Sequence, residues 1–101
     1  MIRIDVVAQT QKQVVLKVQG DLADDDVELL AGELRRWRQQ VEQLVLDLKG
    51  VKFIDRAGIA LLQQWARWEP IRGNGVGERL MLRDGSLFIR HLLEANGLQV
   101  Y

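Results

Sequence analysis

The chain contains no cysteine, which excludes a disulfide, a thiolate metal site and a thiol nucleophile. Its single histidine, His91, cannot build a multi-histidine metal site. Basic and acidic residues number fourteen each, so the net charge gives no electrostatic reason to expect nucleic acid or an anionic membrane as a partner. No apolar run approaches the roughly 20 residues that span a bilayer, and the N-terminus lacks a signal-peptide core. These absences predict a soluble protein of the reducing cytoplasm, without a metal or cofactor.

Residues suited to catalysis are also scarce. Ser86 is the only serine and Thr10 the only threonine, and the spacing of Ser86 and His91 places them on different sides of a helix cap. Asp47 and Asp55 are the best candidates for paired carboxylates. Asp47, however, lies between apolar strand residues, where a carboxylate more often braces a neighbouring loop. We therefore predict that the protein is not an enzyme.

The size and composition indicate one globular domain. Hydrophobic residues make up 48% of the 101 positions, which is enough for a real core and argues against disorder. A domain of this length buries roughly 60–65% of its unfolded surface. No repeat, low-complexity segment or linker divides the chain, so we expect a single domain over residues 1–101.

The N-terminal part predicts a β-hairpin. Apolar and polar residues alternate over residues 2–6 and again over residues 14–19, with a polar turn over residues 9–13 between them. The first strand is short and amphipathic, and we expect it at or near a sheet edge. An edge strand can pair across a two-fold axis, so a homodimer is possible.

A helical pattern follows the hairpin. Apolar residues recur at helical spacing over residues 27–41, after three aspartates at residues 24–26 and with Arg35, Arg36 and Arg38 toward the end. This polarity complements the helix dipole. The aspartates lack the alternating ligand spacing of a calcium loop, so we interpret these charges as helix stabilisation.

Residues 44–62 carry the strongest local pattern in the chain. They predict a strand as far as Leu48, a turn at residues 49–50 and a second short apolar run over residues 51–54. The run ends abruptly at Asp55, which therefore stands where a helix N-cap is expected.

Helical spacing begins at Ala57 and predicts a helix to about Trp68, stopped before the only proline. As an N-cap, the Asp55 carboxylate accepts unpaired backbone N–H groups of the first turn. The 55–58 turn then presents Asp55, Arg56, Ala57 and Gly58 at the positive end of a helix dipole. Such a turn suits an anion, a phosphoryl group or a docking partner.

The same helix has a wide apolar face. Trp65 and Trp68 share one stripe with Leu61, and a neighbouring apolar stripe lies beside it. Core packing accounts for much of this face, but a helix that covers one face of a sheet rarely buries both stripes completely. A docking surface is the alternative, since aromatic anchors are common there.

The remaining segment predicts a loop, a strand, a helix and a final strand. Glycines at residues 72–77 indicate turns and not a phosphate cradle, because no Lys-Ser/Thr follows and a strand at residues 80–82 comes next. Ser86 is expected to cap a last helix that stops at residues 96–97. Residues 98–101 can add a short strand.

The predicted order is β-β-α-β-α-β-α-β, an α/β fold with a mixed sheet. The N-terminal hairpin is antiparallel, and the later strands, each reached through a helix, are parallel. Functional residues of such sheets usually lie in loops at the carboxyl ends of the strands. Residues 20–24 and the 55–58 turn are two such loops, and they can meet across the sheet edge.

Three groups of residues carry a resemblance to a known family. They are Gly20-x-Leu22; the central residues Leu46-Asp47-Leu48, Gly50-Val51, Phe53-Ile54-Asp55, Gly58 and Leu62; and the closing Leu92-Leu93-Glu94-x-x-Gly97-Leu98. In this order, over most of the chain, they resemble the STAS domain. That family includes bacterial anti-sigma-factor antagonists and the cytoplasmic domains of sulfate transporters. The resemblance implies a regulatory protein-binding module.

The chain departs from the family at the residue that carries its switch. In partner-switching members, the turn docks onto a serine-kinase anti-sigma factor, and phosphorylation of a serine just before the turn glycine releases it. Here that position is Ala57, which has no hydroxyl; Arg56 stands where another serine is frequent, and Ala23 where aspartate is common. We expect no phosphorylation switch at this turn.

The resemblance and the turn together define the expected partner-binding residues: Asp21, Asp55, Arg56, Ala57, Gly58, Leu61 and Trp65. We expect Asp55 to organise the helix N-terminus, Gly58 to permit close approach of a partner backbone, and Arg56 to supply charge complementarity. The expected partner is a regulatory protein, either an anti-sigma factor of the serine-kinase type or a stress-signalling scaffold. Two alternatives stay open: a soluble STAS subunit docked on the ATPase of a lipid-transporting ABC complex, and a small-molecule or nucleotide sensor.

Overall fold

Strands and helices alternate along the chain after an N-terminal hairpin. The computed structural model describes residues 1–67 and 80–101, and its elements are β1 (Arg3–Gln9), β2 (Gln13–Leu22), α1 (Asp25–Arg38), β3 (Gln43–Ile54), α2 (Arg56–Ala66), β4 (Leu80–Arg83) and α3 (Leu87–Ala95). The strands form one sheet in the order β1-β2-β3-β4. Strands β1 and β2 are antiparallel, and the other two pairs are parallel. The predicted mixed α/β fold and the edge position of the first strand are confirmed.

The two central helices have the predicted polarity and start. Helix α1 carries acidic residues in its first turn and arginines in its last, which complements its dipole. Helix α2 begins at Arg56, one residue before the predicted start, and ends at Ala66. The predicted end at Trp68 and the glycine-rich residues 72–77 lie outside the described residues. No helix within the described ranges is long and apolar enough to cross a membrane.

Strand β3 does not turn at Lys49 and Gly50, so that prediction is wrong. Lys17 of β2 pairs with Asp47, but Gln19 pairs with Gly50, so β3 contains one extra residue here. This is a β-bulge, which bends a strand without ending its pairing. The Asp47 carboxylate accepts the backbone N–H of Lys49 at 2.9 Å, which braces the bulge. A second register shift follows before the strand ends.

The C-terminal segment closes the fold as predicted at its caps. The Ser86 hydroxyl accepts the N–H of Ile89 at 3.2 Å, and Gly97 takes a φ of 82° just after α3, a conformation that favours glycine. The predicted final strand is reduced to a single parallel bridge between Leu82 and Val100.

All three helices share one core with one face of the sheet. Leu16 and Leu46 lie side by side on β2 and β3, fully buried. They belong to one cluster that also contains helical residues, among them Leu34, Leu62 and Leu93. Since strand side chains alternate between faces, the helices lie on the same side of the sheet. Consequently the carboxyl ends of the three parallel strands and the N-termini of the three helices meet at one sheet edge.

Candidate functional site

The two loops predicted to hold the site are joined by Asp55. The backbone N–H of Asp24 donates to Oδ2 of Asp55 at 2.9 Å, and the backbone N–H of Asp55 donates to the carbonyl of Leu22 at 3.1 Å. Both bonds connect the end of β2 with the end of β3, which are parallel neighbours. The loop over residues 20–24 and the 55–58 turn therefore lie together at the sheet edge.

Asp55 also caps α2, as predicted. Its backbone is extended, with φ −87° and ψ −179°, and its Oδ1 accepts the N–H of Gly58 at 2.8 Å. This satisfies one of the N–H groups that a helix leaves unpaired in its first turn. One carboxylate thus holds the start of α2 with one oxygen and the neighbouring loop with the other.

Asp24 has an unusual backbone that the bond to Asp55 helps to hold. Its φ is 54°, in the left-handed region that L-residues seldom adopt and that aspartate tolerates better than most. The Asp24 N–H is the group that reaches Oδ2 of Asp55. The loop before α1 is therefore held in a strained conformation by the cap of α2.

Gly58 is buried, and it contacts this chain's own backbone. A Cβ placed on it would lie 2.7 Å from the carbonyl oxygen of Leu22 and 2.8 Å from Cγ2 of Ile54. Only a residue without a side chain lets the first turn of α2 pack this closely on the strand ends. The glycine expected to admit a partner backbone therefore admits the end of β2.

The other predicted site residues divide by exposure. Asp21, Arg56 and Ala57 are exposed, and they surround the cap at the sheet edge. Leu61 and Trp65 are only 9% and 7% exposed and belong to the hydrophobic core. Both also line a groove between α1 and α2. The structure thus places the polar part of the predicted site on the turn and its apolar part on the floor of a groove.

Backbone hydrogen bonds lower the pKa of Asp55 below its usual 3.8. The N–H of Asp24 is the largest cause and the N–H of Gly58 the second, while partial desolvation acts in the opposite direction. The folded protein therefore favours the ionised carboxylate, which is the form that accepts both bonds.

We expect the stability contributed by the Asp55 charge to disappear in acid. A carboxyl whose pKa is lower in the folded state stabilises the fold fully above its unfolded pKa of about 3.9, and this contribution is lost as pH falls through the folded pKa. Asp55→Asn keeps a capping oxygen but cannot accept the Asp24 N–H with its amide nitrogen. Urea midpoints should therefore be higher for the unchanged protein at about pH 7 and converge with those of the variant below about pH 4.

Asp21→Asn is the control, because the exposed Asp21 side chain makes no hydrogen bond or ion pair found among the described residues. Its midpoints should follow those of the unchanged protein at every pH. A gap between the unchanged protein and Asp55→Asn that stays constant down to about pH 3 would contradict this role for the Asp55 charge.

Sequence reasoning missed three exposed apolar residues at the same sheet edge. Phe53 is 48% exposed and pairs in register with Asp21, while Leu87 and Phe88 are 71% and 63% exposed in the first turn of α3. Two signals were present: Phe53 alternates with the buried Ile54, and Ser86 is followed at once by two large apolar residues. Neither signal says by itself that the residues share an edge.

The described residues contain no group of three or more His, Asp or Glu side chains placed to hold a metal ion. The arrangement at the 55–58 turn instead presents a fixed backbone, one exposed arginine and one exposed alanine to solvent. Its chemistry is that of a binding surface.

A family model described as "Mlab, STAS domain" matches residues 6–100, so the chain belongs to the STAS family. Two solved structures share the fold over 100% of this chain. One is the anti-sigma factor antagonist SpoIIAA in its unphosphorylated form, with 21% identity, 86% of that chain covered and a TM-score of 0.74. The other is the Bacillus cell fate determinant SpoIIAA in the phosphorylated form, with 20% identity, 89% covered and a TM-score of 0.69. No curated protein gives a significant match.

Proposed function

We propose that this chain is a non-enzymatic regulatory module of the bacterial cytoplasm that binds a partner protein through the 55–58 turn and the start of α2. The observation that carries the proposal is the double engagement of the Asp55 carboxylate, by Asp24 N–H at 2.9 Å and by Gly58 N–H at 2.8 Å. It gives the exposed Arg56 and Ala57 a fixed backbone. A preorganised surface loses less conformational entropy on binding than a mobile one.

The charge of Arg56 supports an acidic or phosphorylated contact on the partner. Arg56 is the first residue of α2, where the helix dipole disfavours a cation by about 0.3–1 kcal/mol. Among the described residues, no ion pair is found for its guanidinium. A partner carboxylate or phosphate at this position would offset that cost and add charge complementarity.

Ala57 determines the kind of regulation that we propose. One of the similar structures is described as phosphorylated, which refers to that protein alone. Alanine has no hydroxyl to phosphorylate, so no charge of about −1.5 to −2 can be added here to repel a partner. We therefore propose constitutive docking onto a regulatory protein, such as an anti-sigma factor of the serine-kinase type or a stress-signalling scaffold in transcription control.

The same alanine favours one second candidate, a subunit docked permanently on the ATPase of an ABC lipid transporter. A constitutive assembly needs no release step, and a turn without a hydroxyl supplies none. The two candidates use the same surface and differ only in the partner.

Capture of tagged protein from its native cells, identified by mass spectrometry, tests the proposal. Arg56→Glu should lower recovery of the partner about tenfold or more, because it replaces an attraction with a repulsion at the contact. The melting temperature should be nearly unchanged, since Arg56 is exposed. An anti-sigma factor or scaffold supports the first candidate, and an ATPase with its permease supports the second.

Lys12→Glu provides a control with the same change of charge. Lys12 is also exposed, but it precedes β2 and therefore lies at the opposite sheet edge from Arg56. Equal recovery of the partner by both variants would show that the 55–58 turn is not the docking surface.

A further inference from the structure

A groove of about 370 Å³ runs between α1 and α2 on the surface of the helical layer. Its floor is apolar and contains Ala31, Leu61 and Trp65, whose small exposed fractions face the groove. The two helices start at the same sheet edge, so the groove leads away from the 55–58 turn along α2. A chain segment that contacts the turn can continue into it.

The rim of the groove is positively charged. Three arginines, Arg35, Arg38 and Arg67, line it against a single carboxylate, that of Glu28. Nη2 of Arg35 lies 2.7 Å from Oε1 of Glu28, so the one acidic group is already engaged by one of the cations. The chain as a whole has equal numbers of basic and acidic residues, so this excess is a property of the groove.

Helix-dipole compensation does not account for this grouping. It explains why arginines occur in the last turn of α1, but Arg36 in that turn lies over the Trp37 ring and near Glu33 and does not line the groove. Arg67 comes from another helix, just after the last residue of α2. The charges of the rim therefore converge from two elements that only the tertiary fold brings together.

One arginine also joins the polar rim to the apolar floor. Cζ of Arg38 lies 5.8 Å from the centre of the Trp65 ring, a cation–π distance. A ligand with carboxylates beside an apolar side chain would meet guanidinium groups and the Leu61–Trp65 floor at once. Arginine recognises carboxylates through paired N–H donors, which suits this role.

We propose that this groove binds an acidic segment of the partner protein, with its carboxylates on Arg35, Arg38 and Arg67 and an apolar side chain on Leu61 and Trp65. The inference rests on the proposed function, because it extends the same docking surface from the turn along α2. It specifies the partner's chemistry, and charge complementarity is the argument for it. The binding should weaken as salt is raised, since the rim is exposed.

The test is a titration of isotope-labelled protein, followed by NMR, with the peptide acetyl-Glu-Leu-Glu-Glu-Leu-Glu-amide. Saturable shifts are expected at the Gln64 backbone amide and the Trp65 indole N–H, both in groove-lining residues. The double variant Arg35→Glu with Arg67→Glu should weaken peptide binding about tenfold or more. The control, Arg3→Glu with Arg36→Glu, makes the same charge change outside the groove and should alter binding by less than about twofold.

A twin peptide with glutamine in place of glutamate tests the charge itself and should not bind. The proposal is overturned if the acidic peptide gives no saturable shift, if the glutamine twin binds equally well, or if the groove variant binds as tightly as the control. Circular dichroism of each variant establishes that it is folded.

The two proposals can fail independently. If the peptide does not bind but Arg56→Glu abolishes capture of the partner, the groove inference falls and the docking turn stands. If the peptide binds in the groove but Arg56→Glu leaves capture unchanged, the turn falls.

Discussion

Replacing Ala57 with glutamate is expected to weaken partner binding about tenfold or more without destabilising the protein. Ala57 is exposed and is the second residue of α2, where the helix dipole favours an anion by about 0.3–1 kcal/mol. The fold should therefore be as stable as before or slightly more stable. At the docking surface, however, the new carboxylate stands beside Arg56 and opposes the positive charge offered to the partner. The substitution places a fixed negative charge at the position where family members resembling this chain are phosphorylated.

Ala57→Gln separates charge from size. Glutamine has nearly the same shape as glutamate and no charge, so its affinity for the captured partner should stay close to that of the unchanged protein. Titration calorimetry with the purified partner measures both affinities, and urea unfolding measures both stabilities. If glutamine weakens binding as much as glutamate, the turn excludes bulk and not negative charge, and the electrostatic account is contradicted.

Gly58→Ala is expected to lower the free energy of unfolding by about 3 kcal/mol, at the upper end of what overpacking usually costs. The added Cβ would lie 2.7 Å from a backbone oxygen of Leu22, and a backbone group at a parallel strand end cannot move aside cheaply. The better helix propensity of alanine offsets only about 1 kcal/mol of this loss. Urea denaturation monitored by tryptophan fluorescence measures the change.

Gly32→Ala is the matched control for that prediction. It makes the same substitution in the interior of α1, where the nearest atom to an added Cβ is the flexible end of Arg35 at 3.9 Å. It should stabilise the protein by about 0.5–1 kcal/mol, because glycine disfavours a helix interior. Equal effects of the two substitutions would show that the close packing at Gly58 does not determine the stability of the turn.

Features set by neighbouring residues were predictable from the sequence. The caps formed by Asp55 and Ser86 and the helix stop at Gly97 follow from side-chain chemistry within a few positions, and each is present in the structure. The alternation of apolar residues likewise predicted which strands share a core face. The meeting of the two loops followed from the rule that parallel strands end at the same edge.

Features set by distant residues were not predictable in the same way. Lys49 and Gly50 have turn chemistry, but the pairing of β3 with β2 decides that they form a bulge. Gly58 was expected to face a partner because no local pattern announces that the carbonyl of Leu22 lies against it. The groove depends on the distance between two helices, so Arg67 could not be assigned to the same rim as the arginines of α1.

The most direct test of the central claim is the affinity of the captured, purified partner for Arg56→Glu and for Lys12→Glu, measured by calorimetry at the same ionic strength. The account predicts that Arg56→Glu loses about tenfold or more in affinity while Lys12→Glu loses less than about twofold. Indistinguishable affinities of the two variants would contradict docking through the 55–58 turn.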